Sequence, residues 1–275
     1  LLFETTRLQE LEPARIGAVS ARNRLIKTAS VMYYGHGNSR NIHFYEALAK
    51  GGVGLFIVEP ATVEFPLGMI APPYFHIESD ECIPFFSDMA AAIHKHGCPA
   101  FLSLLHAGPY HTSYTGLQPV APSARTAEEM PVGMIWKMPP RELTVAEIEH
   151  LVEEFAAGAA RARAAGYEGV EINASTFHLI NSFLSRFWNR RTDAYGGELE
   201  NRAKFLTDII KAVKERCGAD YPVIALINAA EYGLGELGLT PEEGVEIAKL
   251  AEKAGADAIH VRAYGYGDFF NVHFP

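Results

Sequence analysis

Cysteine is scarce in this chain, and the pattern that would turn it into a metal site or a disulfide framework is lacking. The 275 residues include three cysteines, Cys82, Cys98 and Cys217, and no two of them form a CxxC pair. We therefore expect neither a bound metal nor a disulfide, and instead three reduced thiols in a cytoplasmic protein.

Positive charge and long apolar runs are also in short supply. Lysine and arginine number 24 against 33 acidic residues, and the formal net charge is −9. This balance argues against nucleic acid or an anionic membrane as a partner. No run of about 18 uncharged apolar residues is present, so no membrane-spanning helix is expected. The opening LLFETTRLQELEPARIG lacks the basic and apolar segments of a signal peptide.

What the sequence does contain is an alternation of short apolar runs with longer amphipathic segments. The apolar runs, such as VGLFIVEP, are typical of parallel strands buried on both faces. The alternation predicts right-handed crossovers and a parallel sheet. Strands are predicted at 24–31, 53–60, 99–108, 168–175, 221–229 and 257–264, and helices at 41–52, 83–97, 145–166, 201–218 and 240–255.

Such a sheet can close in two ways, as an open doubly wound sheet or as a TIM (β/α)8 barrel. The segment KTASVMYYGHG after the first strand lacks the GxGxxG turn of the doubly wound fold. Unusual residues instead follow the strands, where a barrel places its chemistry: Ser30, Glu59, His106, Asn173 and Tyr264. We therefore favour a barrel forming one domain over 1–275. Six of its eight strands are visible, and we expect the last two to be missing through C-terminal truncation or supplied elsewhere.

A charged stretch, NRRTDAYGGELENR at 189–202, matches the pattern N-x-RTD-x-YGG-x-x-x-NR. With ARNRLIK, YEALAKGGVGLFIVE, LLHAG, PPRELTVAEIE and AARARAAGYEGVEI, it makes the chain resemble the old yellow enzyme family of FMN-dependent oxidoreductases. The resemblance is strongest to longer bacterial members akin to 2,4-dienoyl-CoA reductase. It implies a (β/α)8 barrel with FMN at the C-terminal mouth and NAD(P)H as electron donor. An iron–sulfur cluster and FAD are expected only if a longer chain exists.

The charged stretch itself is expected to stabilise a loop. Hydrogen bonds of Arg191, Asp193 and Arg202 would attach the loop to the next helix, with two glycines allowing a tight turn. The alternative is that Arg191 or Arg186 faces an anionic ligand.

The resemblance assigns residues of the first two strand ends to the flavin. Typical members read APM after the first strand, whereas this chain reads TAS, which places Ala29 and Ser30 against the flavin. Ser30 would donate a hydrogen bond to flavin N5 or O4, or only pack. After the second strand, Glu59 and Pro60 are expected near the flavin pyrimidine edge.

Two further flavin positions depart from the family. Ser103 stands where a glutamine commonly binds the pyrimidine edge, and Leu226 stands where an arginine lies beside flavin N1. A cation there would stabilise the anionic reduced flavin. Its loss implies either a lowered reduction potential or lost flavin affinity.

The strand-four frame carries the residues expected to be catalytic. The family pattern E-I-H-x-A-[HN]-x-Y is here EINASTFH, with Asn173, Thr176 and His178 at the functional positions. Asn173 and Thr176 would grip a substrate carbonyl. His178 would act as a general acid titrating near pH 6.5, or else be only a packed histidine.

The resulting expectation is an FMN-dependent enzyme that reduces a C=C bond conjugated to a carbonyl or CoA thioester. Hydride would pass from flavin N5, and His178 or water would supply the proton. Arg125, Lys137 and Arg141 would meet CoA phosphates or simply be solvated at the surface. The alternative, favoured by Ser103 and Leu226, is a non-catalytic barrel serving as a subunit or scaffold. The sequence is compatible with a homo-oligomer.

Overall fold

A parallel sheet covered by helices forms the centre of the protein. The computed structural model describes residues 9–111, 115–130 and 138–265. The strands are β1 (Ala14–Ile16), β2 (Val19–Ala21), β3 (Ile26–Lys27), β4 (Leu55–Thr62), β5 (Phe75–His76), β6 (Ala100–Leu105), β7 (Val120–Ala121), β8 (Arg141–Glu142), β9 (Gly169–Ala174), β10 (Val223–Tyr232) and β11 (Ala258–Gly265). The helices are α1 (Ser39–Lys50), α2 (Ile83–His94), α3 (Val145–Ala164), α4 (Leu179–Leu184), α5 (Leu199–Cys217) and α6 (Pro241–Ala254).

The order of the main sheet is β11-β10-β9-β6-β4-β3, with β5 added beside β4. Its pairs are parallel, and neighbours in space are consecutive predicted strands. All six predicted strands and all five predicted helices are therefore confirmed, with shifted ends. Within these residues no helix is long and apolar enough to cross a membrane.

Local sequence explains where the crossover helices begin. Thr144 accepts a hydrogen bond from the Glu147 amide, and the Glu147 carboxylate accepts one from the Thr144 amide, so the predicted capping box is present. Thr240 and Glu243 repeat the arrangement at the start of α6. The apolar faces of the helices pack on fully buried strands such as β4, whose eight residues are all buried.

The hairpin β1–β2, which was not predicted, covers the N-terminal end of the sheet. Ile16 and Val19 pack against Leu55, Phe101 and Ile224, and these three lie at the first or second position of their strands. The opposite end, where the strands finish, is left for the candidate site.

Two β-bulges alter the register near those strand ends. The ladder between β4 and β6 shifts between Val58 and Ala61, and the ladder between β10 and β11 shifts between Asn228 and Ala230. A bulge adds one residue to one strand and re-aims the side chains beyond it. Glu59 and Pro60 lie within the first bulge, so strict alternation cannot predict where they point.

The motif at 189–202 has the structural role that was expected. The buried Arg191 guanidinium donates to Asp193 Oδ2 at 2.6 Å, to the Leu143 carbonyl at 2.6 Å and to the Pro122 carbonyl at 2.9 Å. A Cβ atom at Gly196 would lie 2.2 Å from the Arg191 carbonyl oxygen, so only glycine fits that turn. Arg191 therefore joins three chain segments and does not face a ligand.

The other two arginines connect the loop to helices. Arg202 donates to Glu243 Oε1 at 2.7 Å and to the Gly197 carbonyl at 3.2 Å. Arg186 pairs with the same Glu243 carboxylate and donates to the Gly238 carbonyl at 2.8 Å. The alternative of an anion bound by Arg186 is thus wrong, because an internal carboxylate already fills that position.

Candidate functional site

A cavity of about 490 Å³ opens at the C-terminal ends of the parallel strands. This volume lies in the range of small-molecule and cofactor sites. Fourteen residues line it: Thr28, Ala29, Ser30, Val31, Pro60, Ile70, Tyr74, Tyr110, Asn173, Thr176, His178, Leu226, His260 and Arg262. Seven of the nine predicted site residues are among them.

Glu59, one of the two that are missing, points away from the cavity. Its carboxylate accepts a hydrogen bond from the Tyr45 hydroxyl at 2.8 Å and one from the Met32 amide at 2.9 Å. The bulge in β4 turns Glu59 toward helix α1 and leaves Pro60 on the cavity wall. The predicted flavin contact of Glu59 is therefore wrong. Burial raises the pKa of this carboxyl.

Ser103 is the other missing residue. Its hydroxyl donates to Glu171 Oε1 at 2.8 Å, and both side chains are fully buried. The two residues are partners across the β6–β9 ladder, below the level of the cavity. A buried carboxylate needs donors, and the short serine side chain supplies one without reaching the cavity. The flavin contact predicted for Ser103 is wrong as well.

Asn173 presents hydrogen-bond donors to the cavity. Its Oδ1 atom accepts from the backbone amide of Ser175 at 3.2 Å and from the Ser175 hydroxyl at 3.0 Å. A backbone N–H can only donate, so this contact assigns the oxygen and turns the NH₂ group the other way. The side chain can therefore donate to a carbonyl oxygen in the cavity, and the contact with a substrate carbonyl stays a prediction.

Thr176 is held in a strained backbone conformation. Its φ is +60°, a region that β-branched residues rarely occupy and that costs on the order of 1–3 kcal/mol. The Asn228 side chain holds both backbone groups of Thr176, accepting from its amide at 3.0 Å and donating to its carbonyl at 2.9 Å. Residues kept in such conformations cluster at functional sites. The sequence pattern did not single out Asn228.

His178 lies against the cavity but does not titrate near neutrality. Burial, the charge of Arg262 and the neighbouring His106 together lower its pKa to about 3. Its Nδ1 atom is buried without a hydrogen-bond partner in the described part of the chain. Burial therefore disfavours the imidazolium form that a general acid near pH 6.5 would need. A neutral imidazole can still donate one N–H bond and accept another.

Strand β11 adds two residues that the sequence analysis missed, His260 and Arg262. His260 Nδ1 bonds Glu171 Oε2 at 2.7 Å, and Arg262 Nη1 donates to Thr176 Oγ1 at 3.4 Å. They are two positions apart on a strand, so they share a face. This alternation was readable in DAIHVRAY and would have found them. His260 is the ladder partner of Leu226.

The basic residues proposed to bind CoA phosphates lie in different environments. Arg125 is buried over the Phe187 ring, 4.5 Å from its centroid, and burial together with Arg190 lowers its pKa to about 10. Arg141 pairs with Glu147 at 2.7 Å. Lys137 lies outside the described residues, as does the Tyr264 side chain. The surface location expected for Arg125 is wrong.

His106 has a structural position. Its side chain is fully buried and contacts Glu64 Oε2 at 2.8 Å, while Nδ1 accepts from the Gly108 amide at 3.0 Å. Both ring nitrogens are thus occupied by the protein, which gives His106 a structural role.

A parallel strand–helix sheet, covered by a hairpin at one end and lined with polar residues at the other, places the protein in the barrel-type α/β class. Within that class the chain belongs to the NADH:flavin oxidoreductase / NADH oxidase family, whose sequence profile matches residues 11–266. FMN is the cofactor of this family and NAD(P)H its reductant. The resemblance to old yellow enzymes is confirmed.

Individual relatives agree with this assignment. The chain is 38% identical over 255 residues to an NADH oxidase of Thermoanaerobacter brockii, covering 90% of this chain and 38% of that protein. The structure resembles 2-naphthoyl-CoA reductase in complex with 2-naphthoyl-CoA, with a TM-score of 0.86, 30% identity and coverage of 94% of this chain and 41% of that one. It also resembles an old yellow enzyme homologue of Zymomonas mobilis, with a TM-score of 0.82, 28% identity and coverage of 93% and 73%. The chain thus spans about two fifths of the first two proteins.

Proposed function

We propose that residues 1–275 form an FMN-binding barrel domain that reduces a C=C bond conjugated to a carbonyl or CoA thioester. The observation that carries the proposal is convergence on one cavity. Asn173, Thr176 and His178 reach it from the end of β9, and the flavin-position residues Ala29, Ser30, Pro60 and Leu226 reach it from three other strand ends. Four separate parts of the chain thus deliver the family's functional positions to one place.

The residues present suit a flavin. The cavity combines apolar wall residues, such as Val31 and Ile70, with the Asn173 amide and the unpartnered Nδ1 atom of His178. Thr28 to Val31 and Pro60 would hold the ring system from one side, and Leu226, His260 and Arg262 from the other. When bound, FMN would take hydride from NAD(P)H and deliver it to the substrate.

Arg262, which lines the cavity together with His260, would supply the positive charge that is absent at Leu226. Both line the cavity, and His260 pairs with Leu226 across the β10–β11 ladder. The fully buried Glu171 carboxylate accepts from His260 Nδ1 and fixes the orientation of the ring. The side chain of Arg262 would supply positive charge beside a reduced, anionic cofactor.

On the substrate side, Asn173 would donate to the carbonyl oxygen through its amide. Thr176, positioned by Asn228, and neutral His178 would add donors to the same oxygen. These donors would stabilise the negative charge that develops on the oxygen as the double bond is reduced. Since the pKa of His178 is lowered to about 3, the proton that completes the reaction would come from water.

Purification of the full-length protein with added FMN tests the proposal. Bound flavin is expected as an absorbance maximum near about 450 nm, at one equivalent per chain. NADH or NADPH should bleach it without oxygen, and crotonyl-CoA, 2-naphthoyl-CoA or 2-cyclohexenone should restore it. Bleaching without recovery on any of the three would refute the reductase assignment and leave the flavin assignment standing.

The non-catalytic alternative has two observations in its favour, namely that Leu226 is apolar and that Ser103 is turned away from the cavity. It predicts a colourless protein that gains no stability from added FMN. The absorbance measurement therefore decides between the two functions before any substrate is tried.

A further inference from the structure

A second cluster of reactive side chains lies outside the cavity, beside strand β5. His76 Nδ1 is 2.8 Å from Glu78 Oε2 and 3.6 Å from Cys82 Sγ, and the latter two atoms are 3.9 Å apart. None of the three residues lines the cavity described above. The spacing His-x-Glu-x₃-Cys does not follow the CxxC pattern, which is why a search for paired cysteines misses it.

The fold brings these residues together by a short reversal of the chain. His76 ends β5, where it pairs with Thr62 of β4. The chain then turns through Glu78 into a 3₁₀ turn at Asp80–Cys82, which leads directly into α2. Cys82 is buried, whereas the side chains of His76 and Glu78 are 22% and 30% exposed. One side of the cluster is therefore closed by the core and the other is open to entering ions.

We propose that His76, Glu78 and Cys82 bind a zinc ion. Imidazole nitrogen, thiolate sulfur and carboxylate oxygen are the donors that zinc uses in proteins, whereas calcium and magnesium take oxygen. Tetrahedral zinc with bonds of about 2.0–2.3 Å separates its ligand atoms by roughly 3.3–3.6 Å. The three observed separations lie within about 0.6 Å of this range, so small side-chain rotations produce the metal geometry.

Binding would exchange a proton for the ion. Zinc displaces the thiol proton of Cys82 to solvent, while the Nδ1 proton of a neutral His76 moves to Nε2 so that Nδ1 can bind the ion. The Ser79 hydroxyl, 3.9 Å from Cys82 Sγ, is placed to donate a hydrogen bond to the resulting thiolate.

The fourth ligand would be water, or His36 after a rotation of its side chain, because the His36 ring nitrogens are not grouped with the three ligand atoms. The His36 ring stacks on the His76 ring with centroids 4.1 Å apart. Its Nδ1 atom is buried and has no hydrogen-bond partner in the part of the chain that is described. Replacement of His36 by phenylalanine keeps an aromatic ring in the stack and removes the nitrogen, so this variant separates the two possibilities.

The site would have a structural role that reaches the cavity. Ile70 and Tyr74 belong to the cavity wall, and Tyr74 directly precedes β5. A metal joining the end of β5 to the start of α2 would anchor the segment that carries this wall. The proposal does not depend on flavin binding, and its test needs none.

The experiment uses the full-length protein freed of metal with EDTA. Zinc alone should bind with one-to-one stoichiometry by calorimetry, and Co²⁺ should give a thiolate-to-cobalt charge-transfer band together with the visible bands of tetrahedral cobalt. Cys82→Ser should remove the charge-transfer band and weaken zinc binding at least tenfold. His76→Gln and Glu78→Gln should weaken it by a similar or smaller factor.

Cys217→Ser is the matched control, because Cys217 is an equally buried free thiol on α5. It should bind both metals like the wild type, and circular dichroism should show that all variants are folded. Zinc affinity equal in wild type and Cys82→Ser, or a charge-transfer band that survives this substitution, would overturn the proposal and leave a His76–Glu78 ion pair beside a protonated thiol.

Discussion

At the scale of single residues, the proposed replacement of an arginine at position 226 by Arg262 on the neighbouring strand leads to the first prediction. The family's arginine position is Leu226 here, while Arg262 lines the same cavity from β11. If Arg262 supplies this charge, an arginine introduced at position 226 should be able to replace it. This expectation replaces the simpler one that an arginine is missing altogether.

We predict that Arg262→Leu weakens the binding of reduced FMN about tenfold, because one favourable charge interaction with the anionic reduced cofactor is lost. Adding Leu226→Arg to that variant should restore most of the affinity. Titration of flavin-free protein with reduced FMN in the absence of oxygen measures both changes. Arg15→Leu, an exposed arginine on the N-terminal hairpin, is the control. No recovery in the double variant would refute the replacement.

His178 allows a prediction about pH. With a pKa lowered to about 3 by burial and Arg262, the imidazole stays neutral throughout the pH range of ordinary assays. His178→Phe should therefore lower kcat by about 10–100-fold at every pH and leave the shape of the profile unchanged. A change of kcat with pH near 6.5 that is present in the wild type and absent from His178→Phe would show instead that His178 acts as an imidazolium acid.

At the scale of elements, two adjacent arginines give a matched comparison within the motif at 189–202. Arg191 is buried, with 4% of its side chain exposed, whereas Arg190 is 51% exposed and pairs with Glu129. Lysine keeps the charge but loses the fork that lets Arg191 reach Asp193 and two carbonyls at once.

Arg191→Lys should therefore lower the free energy of unfolding by about 2–4 kcal/mol, and Arg190→Lys should change it by less than about 0.5 kcal/mol. Urea denaturation of the two variants measures the difference. Equal stability of both variants would show that the hydrogen bonds of Arg191 do not hold the loop.

The elements also show what sequence could and could not predict. Long periodic helices and apolar strands were predictable because their signal is repeated over many residues, and the capping box at Thr144 marked a helix start. The direction of the Glu59 side chain was predicted incorrectly, because the one-residue bulge in β4 changes which side chains of the strand face the cavity. Short elements such as β1, β2 and α4 carry too few residues for a periodic pattern.

The residues of the candidate site were likewise predictable from the sequence only in part. Asn173, Thr176 and His178 share a strand end, so their convergence followed from one local frame. His260, Glu171 and Ser103 form a hydrogen-bonded series across three strands, and only the sheet registers bring them together. The lowered pKa of His178 likewise depends on burial and on Arg262, which lies 84 positions away in the chain.

At the scale of the whole molecule, groups with shifted pKa values make stability depend on pH. Burial keeps His178 neutral in the folded state, so acid favours the unfolded chain below about pH 6.5. The pKa values of Asp193, bonded to Arg191, and of Glu64, bonded to His106, are lowered in the folded state. The stability that these two carboxylates contribute is therefore lost as the pH falls below about 4.5. His94 opposes them, since its pKa is raised by Glu168 and its contribution is present at low pH and lost as pH rises.

His178 acts at higher pH than Asp193 and Glu64, in the same window as His36 and His111, whose pKa values burial also lowers. The variant His178→Phe is what isolates His178. Between pH 6.5 and 5 the Asp193 and Glu64 carboxylates remain largely ionised in both states, while His178 takes up a proton only on unfolding. With a folded pKa of about 3, this difference should cost about 2 kcal/mol of unfolding free energy at pH 5 relative to pH 7.

His178→Phe removes the titrating group and keeps the ring. Its stability should therefore fall less between pH 7 and 5 than that of the wild type, by about that amount, when both are measured by urea denaturation at equal flavin content. Parallel losses in the two proteins would mean that His178 is already charged, or solvated, in the folded state.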